Sequence, residues 1–170
     1  GLVKGASQGE GLGNKFLANI RETDAIVHVV RCFDDENVIH VEGSTDPLRD
    51  IQIINLELVM ADLEMVQRRV EKATKAMKGD KKFAHEVELF TALQKHLDEG
   101  KLARTFECSE EDAALLATSE LLTLKPVIYA ANMDEEGFAH QADNAYLKQV
   151  QELAAAEGSQ VLPICAKLEQ

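Results

Sequence analysis

Asn132 and Glu135 are the residues whose types and spacing best suit molecular recognition. They lie in the polar turn Asn132-Met133-Asp134-Glu135, which directly follows the apolar run 127–131. An asparagine side chain both donates and accepts hydrogen bonds, whereas a carboxylate only accepts them. Three residues apart, these two side chains can bind the edge of a purine base. Because Asn and Asp are also ordinary turn residues, a plain turn remains the alternative.

The elements around this turn must place it at the end of a strand. The run 127–131 predicts a short buried strand, and Pro126 stands at its start, where a missing N–H group is tolerated. In open α/β sheets, ligands bind just beyond the carboxyl ends of the strands. The turn at 132–135 is therefore predicted to lie where such a fold binds its ligand.

Strand and helix patterns alternate along much of the chain. The β-branched run at 25–32 predicts a strand buried on both faces, and a last strand is predicted at 160–164. Helices are predicted at 15–22, after the capping pattern that begins at Ser109, and before Gly158. This alternation predicts an α/β fold with a doubly wound, mainly parallel sheet.

Two amphipathic helices interrupt the alternation. After Pro47, apolar residues recur in alternating steps of three and four over three heptads. This seam comprises Leu56, Val59, Leu63, Val66, Val70, Ala73 and Met77. Gly79-Asp80 ends the first helix, and a second helix ends at Gly100. Since a short connection makes neighbouring helices antiparallel, we predict an inserted antiparallel coiled-coil hairpin at 46–104, between sheet-domain parts at 1–45 and 105–170.

The tip of the predicted hairpin is strongly basic. Between residues 68 and 82, seven basic and two acidic residues give a net charge of +5, in a chain whose net charge is −12. The basic residues are Arg68, Arg69, Lys72, Lys75, Lys78, Lys81 and Lys82. This segment fits either a solvated helix face or a basic finger that binds phosphates of a large anionic partner. The overall negative charge argues against nonspecific binding of nucleic acid by the whole chain, and no sequence-specific DNA binding is expected.

The composition excludes several classes of protein. With 45% hydrophobic and 28% charged residues, the chain fits a soluble globular protein, and no apolar run approaches the roughly 20 residues of a membrane helix. The three cysteines, Cys32, Cys108 and Cys165, are far apart and form no C-x-x-C motif, which favours a reduced intracellular compartment. The histidines form no zinc motif, so no metal site is expected within these residues.

The chain begins with the glycine-rich segment GLVKGASQGEGLGN. Glycine permits close approach of the backbone to a ligand, so this segment fits either a flexible loop or a mobile loop that approaches a phosphate. No G-x-x-x-x-G-K-[ST] motif occurs anywhere in the chain. The sequence therefore supplies no Walker A loop of its own, and we expect it to be a fragment.

Several motifs together resemble those of a known family. N-x-x-E after one strand and [SC]-A-K after the next resemble the two base-recognition loops of small G domains. Gly1-Leu2-Val3, followed by G-A-x-x-G-x-G-L-G-x-x-F-L, resembles the switch II segment of the Obg group of NTPases. The segment DPLRDIQIINLELVMADLE, the inserted hairpin and N-M-x-E are similar to the YchF subfamily, the Obg-like ATPases. This resemblance covers essentially all 170 residues.

The resemblance implies part of a P-loop NTPase G domain. Gly1 would approach the γ-phosphate, and Leu2 would stand where Ras-like GTPases have the glutamine that orients the attacking water. Because leucine cannot orient water, hydrolysis should be slow or should depend on another group, an ion or a partner. The P-loop and the ligands of the Mg²⁺ that accompanies the nucleotide are expected before Gly1, and a TGS domain after Gln170. Residues 1–170 alone are expected to show no hydrolysis.

The same resemblance assigns residues to base recognition. They are Asn132, Met133 through its backbone, Glu135, Cys165, Ala166 and Lys167. Ordinary G domains have an aspartate that accepts two N–H bonds from guanine, and Glu135 is one methylene longer. This displacement removes a penalty against adenine, so ATP should compete with GTP or be preferred.

We therefore expect the nucleotide-binding core of a cytoplasmic YchF-type ATPase, which slowly hydrolyses ATP and acts as a nucleotide-dependent switch. The resemblance implies the ribosome as partner, and the basic tip is the candidate contact with ribosomal RNA. An Obg-type GTPase, which would prefer GTP, is one alternative. For the 170 residues alone, a coiled-coil interaction module without catalysis is the other.

Overall fold

The computed structural model describes residues 11–34 and 45–166, which divide into two compact units. One unit comprises the described residues up to Asp24 together with Ile54–Lys125, and we call it the helical unit. The other comprises the described residues of Ala25–Ile53 and those from Pro126 onward, and we call it the sheet unit. In chain order the elements are α1 (Gly11–Arg21), β1 (Ile26–Arg31), α2 (Pro47–Gly79), α3 (Ala84–Asp98), α4 (Glu110–Ala117), β2 (Val127–Asn132), α5 (Glu135–Ala139), α6 (Ala145–Glu157) and β3 (Gln160–Ile164).

The sheet unit contains three parallel strands in the order β1-β2-β3 among the described residues. Asn132, the last residue of the central strand β2, lies opposite Arg31 of β1 on one side and Ile164 of β3 on the other. The carboxyl ends of the three strands therefore lie side by side. The predicted α/β class with a parallel sheet is confirmed.

Helix α6 covers one face of this sheet. Its Leu147, Val150 and Ala154 form a buried cluster with Tyr129 and Ala131 of β2. The helix begins at a side-chain cap, where Asn144 Oδ1 accepts a hydrogen bond from the backbone N–H of Leu147 at 3.1 Å. These contacts fix the segment that connects β2 with β3.

Within the described residues, the first strand is not buried on both faces, contrary to the sequence prediction. Val30 of β1 is 2% exposed, but Val27 and Val29 are 62% and 60% exposed. Successive side chains of a strand point to opposite faces, so β1 has one buried and one exposed face within the described structure. An apolar run did not reveal this difference, because apolar side chains are also common on protein surfaces.

Helices α2 and α3 dominate the helical unit. Asp80 lies between them and caps the 3-10 turn Lys81–Phe83, because its side chain accepts a hydrogen bond from Lys82 N at 3.0 Å. The buried residues shared by the two helices include Val59, Val66, Phe90, Leu93 and Leu97. Two long helices with a common apolar core therefore follow each other across a short turn.

The predicted seam of α2 is only partly buried. Val59, Val66 and Ala73 are buried, whereas Leu56 is 51% exposed. A helix rises about 1.5 Å per residue, so the 33 residues of α2 span about 50 Å and the 15 residues of α3 about 22 Å. Because α3 is less than half as long, it cannot cover the whole of α2. Coiled-coil packing along the hairpin stays a prediction.

A buried carboxylate joins α2 to the segment that precedes β2. Asp62 is fully buried and accepts hydrogen bonds from Leu122 N at 2.8 Å, Thr123 N at 2.8 Å and Thr123 Oγ1 at 2.6 Å. Burial raises the pKa of Asp62, and the bonds from Thr123 and Leu122 oppose that rise. Thr123 Oγ1 also accepts a hydrogen bond from Ala103 N at 2.9 Å. No sequence pattern distinguished Asp62 from the other acidic residues of α2.

The variant Asp62→Asn should lower the free energy of unfolding of the intact protein by about 2 to 3 kcal/mol. One of its two side-chain oxygens becomes an NH₂ group, so at least one buried donor loses its acceptor. Urea unfolding measures this difference. The exposed residue Glu64 on the same helix supplies the control, because Glu64→Gln should change the free energy by less than about 0.5 kcal/mol. Equal effects of the two variants would contradict the assigned role of Asp62.

Candidate functional site

The carboxyl ends of β2 and β3 bring the two predicted base loops together. Asn132 lies opposite Ile164 in the parallel register. Immediately beyond this pair, Met133 N donates a hydrogen bond to Ile164 O at 2.9 Å. The loop after β2 and the loop that starts at Cys165 therefore leave the sheet next to each other.

The side chain of Asn132 joins the two loops directly. Asn132 Oδ1 accepts a hydrogen bond from the backbone N–H of Ala166 at 3.0 Å. Asn132 is half-buried and Ala166 is exposed, so the bond lies at the protein surface. An amide oxygen only accepts, so Nδ2 is the atom through which Asn132 can donate a hydrogen bond to a ligand.

Met133 anchors the first loop. It is 1% exposed and belongs to the buried cluster that includes Cys32 and Leu147. Its backbone N–H is used by Ile164, as described above, and is therefore not available to a base. A backbone contact with a ligand at this position would have to use the carbonyl group.

The two carboxylates of the turn have different structural settings. Asp134 caps α5, because its Oδ1 accepts a hydrogen bond from Gly137 N at 2.8 Å. Gly137 permits this close approach, since a Cβ atom there would lie 2.8 Å from Asp134 Oδ1. Glu135 is the first residue of α5 and is exposed. The start of a short helix, rather than a plain turn, thus sets the position of Glu135.

The structure therefore brings five of the sequence-predicted site residues to one edge of the sheet. They are Asn132, Met133, Glu135, Cys165 and Ala166. Lys167, Gly1 and Leu2 lie outside the described residues. The hydrogen bond between Asn132 and Ala166 was not foreseen, because it depends on the register of two strands that are far apart in sequence.

A cleft that no sequence pattern indicated lies at the carboxyl ends of β1 and β2. It has a volume of about 690 Å³, and we call it the acidic cleft. Four carboxylates are among its lining residues: Asp34, Asp134, Glu136 and Asp143. Tyr146 OH donates a hydrogen bond to Asp34 Oδ1 at 2.8 Å, and this bond raises the pKa of Tyr146. Asn132, Glu135 and Ala166 do not line this cleft, although Asp134 of the first base loop does.

Cys32 lines the acidic cleft but is fully buried. Burial and the nearby charge of Asp50 raise the pKa of its thiol to about 11. Since the thiolate is the reactive form, Cys32 is an unreactive thiol near neutral pH.

Six of the seven basic residues predicted at the hairpin tip are exposed. They are Arg68, Lys72, Lys75, Lys78, Lys81 and Lys82. We call these six residues the basic tip. Arg69 differs, because its guanidinium donates hydrogen bonds to Glu86 Oε1 at 2.5 Å and to Thr118 Oγ1 at 3.2 Å. It also lies over the ring of Phe90 at 4.6 Å, so Arg69 is engaged within the protein.

The basic residues of α2 lie on its outer face. An α-helix turns about 100° per residue, which places Arg68, Lys72 and Lys75 within about 60° of one another. The buried residues Val66 and Ala73 lie on the opposite side of the helix. The buried side of α2 packs in the core of the hairpin, so this row of cations faces away from α3 and is accessible to a partner.

The described residues offer no metal site and no membrane span. Within 11–34 and 45–166, no group of three or more His, Cys, Asp or Glu side chains could hold a metal ion. None of the helices in these ranges is long and apolar enough to cross a membrane. We assign none of these residues to Mg²⁺.

Comparisons with known proteins agree with this geometry. No protein-family model matches the chain. The chain is 48% identical over 170 residues to a protein of Escherichia coli O157:H7 named ribosome-binding ATPase YchF, covering 99% of this chain and 46% of that relative. The protein of the same name from Bacillus subtilis strain 168 is 46% identical with the same coverage. The chain thus spans about half the length of the curated relatives that it matches.

A solved structure shares the fold. The YchF GTPase of Schizosaccharomyces pombe superimposes with a TM-score of 0.80 at 37% sequence identity. The match covers 96% of this chain and 45% of the yeast protein. The likeness therefore extends over both the sheet-bearing and the helical parts of the chain.

Proposed function

This chain belongs to the YchF family, and on that premise we propose that it forms part of an ATPase whose nucleotide base binds at the loops after β2 and β3. The hydrogen bond of 3.0 Å between Asn132 Oδ1 and Ala166 N carries the proposal, because it joins these two loops at the edge of a parallel sheet. The names of the relatives, which describe ribosome-binding ATPases and a GTPase, support a nucleotide as the ligand.

The donors and acceptors of the site favour adenine. Guanine carries an acceptor oxygen at C6, whereas adenine carries a donor amino group there. The N–H of Ala166 already bonds to Asn132, so it is a poor donor for the guanine oxygen. Glu135 starts a helix and has a longer side chain than the aspartate that reads guanine in ordinary G domains. Asn132 Nδ2 would donate to a ring nitrogen of the base, and Cys165 and Lys167 would line the second loop.

Hydrolysis is assigned to the segment before α1. Gly1 would contact the γ-phosphate, and Leu2 would leave the attacking water unoriented, so turnover by the intact protein should be slow. Mg²⁺ would accompany the nucleotide and neutralise charge on its phosphates. The role of the described residues is to bind and orient the base.

Nucleotide preference of the intact protein tests the base-binding role. Isothermal calorimetry should show tighter binding of ATP than of GTP. Glu135→Asp should move the ratio of the two dissociation constants at least about tenfold toward GTP, which corresponds to about 1.4 kcal/mol, because it restores the shorter carboxylate.

The matched control for this experiment is Glu136→Gln. Glu136 is the next residue of α5 and lines the acidic cleft, so its loss should leave the ratio of the dissociation constants unchanged. Tighter binding of GTP by the unaltered protein would overturn the adenine assignment and favour an Obg-type GTPase.

The ribosome is the proposed partner, and the basic tip is the proposed contact. Two relatives are named as ribosome-binding, and the ribosome presents RNA phosphates at its surface. Six exposed cations at the end of a long hairpin suit phosphate binding, which carries no base specificity. This partner implies a cytoplasmic location, and the nucleotide state would control the interaction.

Charge reversal tests this contact. Replacing Lys75, Lys78, Lys81 and Lys82 by glutamate in the intact protein should reduce co-sedimentation with ribosomes at least about tenfold at physiological salt, because phosphate contacts dominate such binding. The control reverses four exposed lysines elsewhere: Lys15, Lys95, Lys101 and Lys148. It changes the net charge equally and should reduce binding much less. Unchanged binding by the tip variant would eliminate the basic tip as the contact.

A further inference from the structure

Helix α1 is packed into the helical unit. Leu17 of α1 forms a buried cluster with Leu58 and Ala61 of α2 and with Leu122, and Ile20 of α1 packs against this cluster. Leu17 is 3% exposed and Leu122 is fully buried. Close-packed side chains of this kind resist sliding and transmit displacement. The inner face of α1 is therefore held by the base of the hairpin.

The carbonyl end of α1 has a second attachment. Lys125 Nζ donates hydrogen bonds to Arg21 O at 3.2 Å and to Thr23 O. The carbonyl groups at the end of a helix lack intrahelical partners and carry partial negative charge, so an ammonium group stabilises them. Lys125 directly follows the 3-10 turn Leu122–Leu124. The turn therefore contacts α1 through the apolar side chain of Leu122, and the residue after the turn contacts it through the charged side chain of Lys125.

The same turn is fastened to α2 by Asp62. As described above, Asp62 accepts the N–H bonds of both Leu122 and Thr123. Arg21 of α1 also favours the charged form of Asp62. Apolar contacts, hydrogen bonds and a charge interaction thus form one continuous network that joins α1, the turn and α2. From Asp62, α2 continues for about 24 Å to Lys78 at the basic tip.

We propose that α1 and the hairpin move as one body, so that a displacement of α1 is transmitted to the basic tip. The proposal rests on the proposed function for its trigger, because the ten residues before Gly11 include Gly1 and Leu2, which are assigned to the γ-phosphate. Gain or loss of the γ-phosphate would displace α1, because residues 1–10 join the phosphate contact to this helix. The network around Asp62 would transmit the displacement of α1 to the hairpin. Lys125 acts as a positioning residue, because it holds the end of α1 next to the turn at 122–124.

Hydrogen exchange of the intact protein tests the mechanical link without nucleotide. Leu17→Ala removes packing between α1 and the hairpin base, so amides of residues 66–73 in α2 should exchange at least about tenfold faster. Leu147→Ala is the matched control, because Leu147 is also 3% exposed but belongs to the core of the sheet unit. It should leave residues 66–73 unchanged. Faster exchange confined to α1, or an equal effect of both variants, would overturn the proposal.

A nucleotide experiment then tests the trigger. Calorimetry and hydrogen exchange are measured on the same samples, with and without a slowly hydrolysed ATP analogue and Mg²⁺. Bound analogue should change exchange both in α1 and at residues 66–73. In Lys125→Met, affinity should stay within about threefold, while the change at 66–73 should fall at least about threefold.

The outcomes separate the two proposals. Binding that alters α1 but not residues 66–73 would overturn the coupling and leave the proposed function standing. If the nucleotide-dependent change in exchange at residues 66–73 is as large in Lys125→Met as in the unaltered protein, Lys125 has no part in the coupling. Absence of nucleotide binding would overturn the proposed function, and the comparison of Leu17→Ala with Leu147→Ala would still decide whether α1 and the hairpin form one body.

Discussion

The parallel pairing of β2 with β3 is the constraint on which the candidate site depends. It sets Asn132 against Ile164, and the bond from Met133 N to Ile164 O extends the pairing by one residue. In this register, Asn132 Oδ1 accepts a hydrogen bond from the N–H of Ala166. A shift by one residue would turn Asn132 to the other face of the sheet. The core beneath α6 holds the register, so packing and recognition are specified together.

The helical unit depends on a buried polar contact in a comparable way. Asp62 is fully buried and is stable there because three donors converge on its carboxylate. These bonds hold the turn at 122–124 against α2. Lys125, which follows this turn, holds α1. Apolar packing alone would bring these elements together without fixing their relative positions. The polar network supplies that specificity.

The sequence predicted those parts of the structure that depend on local patterns. The parallel α/β class and the end of the second long helix before Gly100 follow from periodicity, capping and glycine. The exposure of Val27 and Leu56 did not follow, because it depends on which neighbouring element is long enough or close enough to cover them. The engagement of Arg69 with Glu86 likewise depends on tertiary contacts. At the site, residue types and strand ends were predictable, whereas the bridge from Asn132 to Ala166 required the register.

Nuclear magnetic resonance of the intact, ¹⁵N-labelled protein can locate the bound base. During titration with ATP, the side-chain amide of Asn132 and the backbone amide of Ala166 should shift together, with the dissociation constant that calorimetry gives. The chemical shifts of the backbone amides of His140 and Asp143 in the acidic cleft should not change. Saturable shifts of the amide signals in the acidic cleft, with those of Asn132 and Ala166 unchanged, would rule out the base loops and place the ligand in that cleft.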